Sequence, residues 1–141
     1  MNYNINIGAN MFIDAAIIYG QSKPFTVSIQ IKNEDDTEFV PFDLSEYSIY
    51  FRILGSTTHN AKPLVEHLIT QDSELDEDGA ITNAANGEFT FNVTAEDTVT
   101  VGLGVHPIEI EIVDIDTLET EFILTEGGLY GEFNKIHVVQ V

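Results

Sequence analysis

Cysteine is absent from this chain of 141 residues. The chain therefore forms no disulfide, and it has no thiolate for catalysis or for holding zinc. No apolar run approaches the ~20 residues of a membrane-spanning helix, and residues 1–8 lack the basic segment and apolar core of a signal peptide. From these absences we expect a protein that makes no contact with membranes and is assembled in the cytoplasm.

Basic residues are scarce. The chain has five, against 24 acidic residues, which gives a formal net charge of -19 and a pI of about 4.1. The five are scattered along the sequence: Lys23, Lys32, Arg52, Lys62 and Lys135. Because clustered Lys and Arg side chains bind a phosphate backbone, this composition argues against nucleic acid and anionic membranes as partners. Two interpretations of the acidity stay open, solubility through self-repulsion and complementarity to a basic partner.

Apolar residues make up 43% of the chain, with nine Phe and five Tyr. At this length a folded chain buries roughly 70% of the surface that its unfolded form exposes, so a core can form without a covalent or metal staple. No internal repeat, linker or low-complexity tract divides the sequence, and we predict a single domain over residues 1–141. Residues 1–10 are polar and rich in Asn, which suits either an N-terminal arm that docks on a neighbour or a frayed terminus.

Four segments alternate apolar and polar residues, the pattern of a strand with one buried face. They are residues 25–31, 49–53, 89–93 and 108–112, and weaker candidates are residues 12–18, 64–69, 121–124 and 133–141. Turn-forming residues lie between them at 33–37, 76–79, 86–87, 114–117 and 127–128. Thr94 can cap a short helical turn over residues 94–97 that links two strands across the layers. The pattern predicts an all-β fold, an antiparallel sandwich of about seven or eight strands.

Motifs that carry chemistry are weak or missing. Residues 74–81 superficially follow a calcium-binding loop, but Ala85 stands where a bidentate Glu is needed, which favours an acidic solvated loop. The four His residues lie in different segments without metal-ligand spacing: His59, His67, His106 and His137. The sequence has no nucleophile elbow, Walker-type loop or dinucleotide-binding turn. We therefore predict that the chain is not an enzyme and has no catalytic, cofactor-binding or metal-binding residue.

Residues 17–53 read Ile-Ile-Tyr-Gly-Gln, then an alternating strand, an acidic turn and Pro-Phe-Asp-Leu-Ser-Glu-Tyr-Ser-Ile-Tyr-Phe-Arg-Ile. This passage resembles the immunoglobulin-like N-terminal domain of phage upper baseplate proteins, and Asp43-Leu44-Ser45-Glu46-Tyr47 occupies the family's Asp-Leu-Thr-Gly-like step between strands. Residues 80–91, 94–98 and 104–114 are similar to the family's turn, crossover and returning strand. The resemblance implies an immunoglobulin-like sandwich in a bacteriophage virion structural protein. Family domains usually precede a fibre or receptor-binding region, whereas residues 137–141 form a strand here, which favours a stand-alone subunit.

We accordingly expect a virion protein that docks on the capsid lattice as a decoration, cement or adaptor subunit, with a baseplate or tail (fibre-attachment) role as the alternative. Its expected partners are other virion proteins, either the major capsid protein or baseplate and tail proteins, and homo-oligomerisation stays open. Exposed strand edges such as residues 133–141, or the N-terminal arm, would join neighbours. A second hypothesis is a carbohydrate- or receptor-binding module with Tyr3, Tyr19 or Tyr130 as a sugar platform, which the absence of Trp disfavours. A third is a small hydrolase or metal enzyme.

Overall fold

The computed structural model describes residues 2–6, 13–32, 35, 37–55, 62–124 and 134–141. Eleven strands occur within these ranges: β1 (Asn2–Asn6), β2 (Asp14–Ile18), β3 (Lys23–Lys32), β4 (Phe39–Pro41), β5 (Tyr47–Leu54), β6 (Pro63–Ile69), β7 (Gly79–Asn83), β8 (Glu88–Val93), β9 (Gly104–Asp114), β10 (Thr120–Leu124) and β11 (Lys135–Val139). A short 3-10 helix, Ala84–Asn86, precedes β8, and one α-helix, α1 (Ala95–Val101), connects β8 to β9.

The strands form two sheets. The first has the order β1-β3-β8-β7, with β4 paired to β3, and the second has the order β2-β11-β9-β5-β6, with β10 paired to β9. Neighbouring strands are antiparallel except for β1 with β3 and β2 with β11. An immunoglobulin-like sandwich likewise places its B, E and D strands in one sheet and its C, F and G strands in the other. The predicted immunoglobulin-like β-sandwich is confirmed, with more strands than the seven or eight expected.

The core lies between the two sheets, and β2, β3, β5 and β11 bury every second side chain along much of their length. Phe91 of the first sheet stacks on Phe51 of the second with ring centroids 4.2 Å apart, and on Phe25 of its own sheet at 5.1 Å. All three rings are fully buried. Such stacked pairs add ~0.5–1.5 kcal/mol each beyond the burial of their area. The three rings therefore hold the two sheets face to face.

Helix α1 carries the chain from the first sheet to the second. The Thr94 hydroxyl accepts a hydrogen bond from the backbone N–H of Asp97 at 3.0 Å, and the Asp97 carboxylate accepts one from the N–H of Thr94 at 2.9 Å. This reciprocal pair is a capping box, which satisfies two N–H groups that the first turn leaves unpaired. The helical turn predicted at residues 94–97 is confirmed, and the helix continues to Val101.

Three strands were not expected from the sequence. β4 has only three residues and β7 contains one large apolar residue, so neither shows the alternation that marks a half-buried strand, whereas β1 alternates Asn with Tyr3 and Ile5 but lies in the Asn-rich segment predicted as an arm or a frayed terminus. β1 includes part of the predicted N-terminal arm. In the structure its five residues pair in parallel with β3 of the same chain.

The prediction that residues 133–141 form an exposed edge strand is wrong. β11 lies inside the second sheet, between β2 and β9, and its Ile136 and Val138 are buried. Alternation reveals which face of a strand is buried, but it does not reveal which strands lie beside it. The turn predicted at residues 127–128 lies outside the described residues.

A candidate docking surface

The outward face of the second sheet carries a compact group of charged and apolar side chains. They come from four neighbouring strands, β6, β5, β9 and β10, and alternate with residues that are buried in the core. We call this group the outer patch, and it consists of Tyr50, Arg52, Leu64, Glu66, Leu68, Glu109, Glu111 and Ile123.

Cross-strand register sets the patch out in rows. Arg52 of β5 lies between Glu66 of β6 and Glu109 of β9. In the adjacent row Tyr50 lies between Leu68 and Glu111. Directly opposed side chains on one face of a sheet are close enough to interact, so the pairing of β5 with β6 and β9 brings three glutamates around one arginine.

Arg52 is the centre of the patch. Its Nε donates to Glu66 Oε2 at 2.6 Å, and its Nη1 donates to Glu109 Oε2 at 2.9 Å and to Glu111 Oε1 at 2.8 Å. The guanidinium also lies over the Tyr50 ring at 4.7 Å from its centroid. Only 16% of the Arg52 side chain is exposed. One positive charge thus meets three negative charges in a partly desolvated position.

The pKa values in the patch follow from these contacts. Burial alone would lower the pKa of Arg52, but the hydrogen bonds that Arg52 donates to Glu66, Glu111 and Glu109 raise it overall. Burial raises the pKa of Glu111, yet hydrogen bonds from Thr120 and Arg52 outweigh it and hold that pKa below its ordinary value. Both shifts favour the charged forms, so Arg52 and Glu111 are held as an ion pair at neutral pH.

Apolar side chains flank the charged cluster. Leu64 and Leu68 on β6 are 47% and 45% exposed, and Ile123 on β10 is 55% exposed. A single exposed aliphatic residue on a soluble protein needs no explanation. Here three of them lie on one sheet face, on both sides of the charged cluster, and grouped exposed apolar side chains can mark a protein-protein contact surface.

A second cluster lies at the side of the sandwich, where the edges of the two sheets meet. His67 of β6 is hydrogen-bonded through Nε2 to the carboxylate oxygen Oδ2 of Asp97 at 2.8 Å, and its Nδ1 lies 3.2 Å from Asp78 Oδ2. The hydrogen bond to Asp97 raises the pKa of His67 more than burial lowers it. The cluster ties α1 to β6 and to the turn before β7. It has no nucleophile within it, and we interpret it as structural.

The other described histidines are engaged separately. His106 Nε2 lies 2.8 Å from the Gly102 carbonyl oxygen, and His137 Nε2 lies 2.8 Å from Asp14 Oδ1; His59 lies outside the described residues. Among the residues that the structure describes, no three His, Asp or Glu side chains are grouped so as to hold a metal ion.

The calcium-like loop of the sequence is fastened to the first sheet. The Asn92 amide donates to the carbonyl oxygens of Leu75 at 2.9 Å and Glu77 at 2.7 Å. Between this loop and the outward face of β3 and β8 lies an open groove of about 550 Å³. Its floor includes Thr26 and Thr90, whose hydroxyls bond to each other at 2.9 Å. The groove shows no acid-base pair or nucleophile and base that would indicate catalysis.

The sugar-platform hypothesis gains little from the structure. Tyr19 is 40% exposed, Tyr130 lies outside the described residues, and the side chain of Tyr3 is likewise outside the description. Within the described ranges, no helix is long and apolar enough to cross a membrane. The expectation that the chain is not an enzyme stays a prediction.

Sequence reasoning named no residue of the outer patch as an interface residue. It did place Arg52 in the alternating segment 49–53 and both Glu109 and Glu111 in the segment 108–112, where the polar positions point away from the core. Arg52 could have pointed to the patch, because it is a cation on an outward strand position in a chain with only five basic residues. The sequence does not show which strands pair, so it could not place the glutamates beside Arg52.

Comparisons with known proteins bear on the fold. No family model and no curated protein matches the sequence. Among solved structures, the fold matches the N-terminal domain of ORF48 of phage TP901-1 with a TM-score of 0.51 and 10% sequence identity, over 98% of each chain. At this identity the likeness establishes the fold alone. It confirms, at the level of architecture, the resemblance of this chain to a phage protein domain.

Proposed function

We propose that this chain is a non-enzymatic structural protein of a bacteriophage particle, which is assembled in the host cytoplasm and docks on other virion proteins through its outer patch. The observation that supports this most directly is the match of nearly the whole sandwich to a domain of a phage protein. The exposed, mixed apolar and charged sheet face supports a role in protein contact. The strong acidity adds self-repulsion, which keeps free subunits apart before assembly.

We favour a tail or baseplate placement over capsid decoration. The residues of the sequence resemble the N-terminal immunoglobulin-like domain of upper baseplate proteins, and the matched solved structure is also an N-terminal domain of a phage protein. Nothing in the fold distinguishes a lattice-decorating subunit. Partners in this placement are baseplate or tail proteins, and the major capsid protein is the partner in the alternative.

Quantitative mass spectrometry of purified virions tests both parts of the proposal. We expect the chain to be present in a few to a few dozen copies per particle. Hundreds of copies would show that it decorates the capsid, and would overturn the tail placement while leaving the structural role intact. Its absence from virions that contain all their other structural proteins would overturn the structural role itself.

A further inference from the structure

The free edge of β6 borders the outer patch and has the chemistry to accept a further strand. Resting on the proposed function, we infer that a partner virion protein adds an extended segment of its own chain to this edge. The segment forms backbone hydrogen bonds with Glu66 and Leu68 and continues the second sheet beyond β6. On the outward face, its side chain beside Leu68 is apolar and its side chain beside Glu66 is neutral or basic.

The pairing of β5 determines which backbone groups of β6 are free. The Glu46 carbonyl oxygen, just before β5, accepts a hydrogen bond from the Ile115 N–H at 3.0 Å. Backbone groups of successive strand residues point to opposite sides, so the even-numbered residues of β5 face β9 and the odd-numbered ones face β6. The register pairs odd-numbered residues of β5 with odd-numbered residues of β6. The N–H and C=O groups of Glu66 and Leu68 therefore point away from β5.

These groups have no partner in the part of the chain that the structure describes. Each residue has one backbone donor and one acceptor, and within the described ranges β6 forms backbone hydrogen bonds with β5 alone. Leu68 is 45% exposed and the Glu66 side chain is 46% exposed, so this stretch is accessible from solvent. An accessible strand edge with unpaired N–H and C=O groups is a template for pairing with another chain.

The other strand edges that the structure describes are less suited to accept a strand. In β2, the carbonyl oxygen of Ala16 accepts a hydrogen bond from the Lys23 ammonium group at 2.9 Å, and a lysine at a strand edge opposes further pairing. Register shifts lie between residues 81 and 83 of β7 and between residues 120 and 122 of β10, and such irregularities disrupt the ladder. β4 has three residues, and three of the five residues of β1 are Asn, which is depleted in strands. β6 pairs with β5 without a shift from Val65 to Ile69, and so it offers a regular edge.

A second copy of this chain is a poor occupant of the edge. The antiparallel register that joins Glu66 of each copy to Leu68 of the other places the two His67 side chains directly opposite each other. The pKa of His67 is raised, mainly by its hydrogen bond to Asp97, so its charged form is favoured, and like charges directly opposite on a sheet are destabilising. Each copy also carries a formal net charge of -19, and like charges are unfavourable across an interface. The charges therefore favour a neutral or basic segment of a different protein.

A short segment is enough to cover the edge. Five residues opposite the regular part of β6 span about 17 Å at ~3.4 Å per residue. In strand addition of this kind, main-chain hydrogen bonds provide affinity and alternate side chains provide specificity. Leu64 and Leu68 are exposed on the outward face, and they supply the apolar contacts for the alternate side chains of the segment.

The test uses phage particles assembled without this chain as the probe, and measures rebinding of the labelled full-length chain by co-sedimentation. The test variant is Glu66→Pro, which removes the outward N–H without removing a hydrogen bond to β5. Its comparison is Glu66→Ala, which loses the same carboxylate but keeps the N–H. The matched control is Ala16→Pro, at an exposed position on the outer edge of β2, where Lys23 covers the carbonyl group. Hydrogen exchange of the wild-type chain, resolved to single amides by mass spectrometry, compares the free protein with purified virions.

We expect Glu66→Pro to bind at least ten-fold more weakly than Glu66→Ala, and Ala16→Pro to bind like wild type. In the wild-type chain, exchange of the Glu66 and Leu68 amides should slow at least ten-fold in the virion, whereas exchange of the Ala16 amide should not change. Equal binding by the two Glu66 variants, or equal exchange of both β6 amides in the two states, would overturn the inference while binding of the wild-type chain supports the proposed function. Failure of the wild-type chain to rebind would overturn both. A wild-type dimer in light scattering that Glu66→Pro dissociates would place a second copy on the edge, and would also overturn the inference.

Discussion

Replacing Asp97 with Ala removes a carboxylate that serves two partners at once. Its side chain is 7% exposed, accepts a hydrogen bond from the Thr94 N–H, and lies 2.8 Å from His67 Nε2. Loss of a helix cap costs about 1 kcal/mol, and loss of a hydrogen bond between charged groups costs ~1.5–3 kcal/mol. We expect Asp97→Ala to lower the free energy of unfolding by about 3 kcal/mol in total. For a chain of this length that corresponds to a fall in Tm of ~10 °C.

The loss of unfolding free energy in Asp97→Ala should depend on pH, and the contacts of His67 and Asp97 determine the direction of that dependence. The pKa of His67 is raised, mainly by its hydrogen bond to Asp97. The contribution of His67 to the free energy of unfolding is therefore fully present below its ordinary pKa of 6.5, and it is lost as pH rises through the raised pKa. Burial raises the pKa of Asp97, but hydrogen bonds from His67 and Thr94 lower it overall, so its contribution is present above 3.8 and is lost as pH falls through the lowered value.

The window of full stabilisation thus lies between those two ordinary values, 3.8 and 6.5. Urea denaturation followed by circular dichroism should give the full cost near pH 6 and a smaller cost near pH 10, because a neutral His67 can still donate a hydrogen bond to Asp97 but no longer adds the attraction of its charge. The control is Asp78→Ala, because that carboxylate lies 3.2 Å from His67 but is half exposed, and its loss should cost under about 1 kcal/mol. An equal cost for Asp97→Ala at both pH values, or a cost no larger than that of Asp78→Ala, would refute the reasoning.

Three further substitutions, with Gly20→Ala as the control for the first, test the fold and the patch through the free energy of unfolding in urea denaturation. Gly79→Ala should cost more than ~3 kcal/mol, because φ is +145° and a Cβ would overlap the Thr90 carbonyl. Gly20 also has a positive φ but has open space around it, so Gly20→Ala should lower the free energy of unfolding by only ~1–2 kcal/mol. Equal losses for Gly79→Ala and Gly20→Ala would show that overlap with the Thr90 carbonyl is not the cause. Phe91→Ala should cost ~3–5 kcal/mol because its ring stacks on both sheets; a loss under about 2 kcal/mol would show that the stack does not hold the sheets together. Arg52→Ala should cost about 2 kcal/mol near neutral pH, between values for buried and surface ion pairs, and less as pH falls below 4.5 through the lowered pKa of Glu111. A cost that grows on acidification would rule out this electrostatic explanation.

Local pattern was enough to predict the fold class. The four strongly alternating segments contain many of the large buried side chains, such as Phe25, Phe51, Phe89 and Ile108. Alternation of apolar and polar residues predicts these positions because successive side chains of a strand point to opposite faces of the sheet. The helix that follows Thr94 was also predictable from the sequence, since its cap and its acidic first turn are contiguous. Strands β1, β4 and β7 were not predicted, because β4 has only three residues, β7 has one large apolar residue and β1 lies in an Asn-rich segment. Each of the three is held by backbone pairing to its neighbour.

The outer patch was not predictable because it depends on strand pairing. Arg52 and Glu109 are 57 residues apart in sequence, and Arg52 and Glu66 are 14 apart. Taken alone, each of these charged residues predicts only a solvent-exposed position on the outward face of a strand. Only the placement of β5 between β6 and β9 brings three carboxylates onto one guanidinium. The same holds for His67 and Asp97, 30 residues apart.

Burial of the outer patch inside the particle can be measured site by site, because the chain has no native cysteine. Single cysteines at Leu68→Cys and Ile123→Cys in the patch, and at Thr82→Cys on the first sheet, can be reacted with a maleimide in the free protein and in assembled virions. We expect all three to react in the free protein, and only Thr82→Cys to react in the virion. Equal labelling of the patch cysteines in both states would contradict the claim.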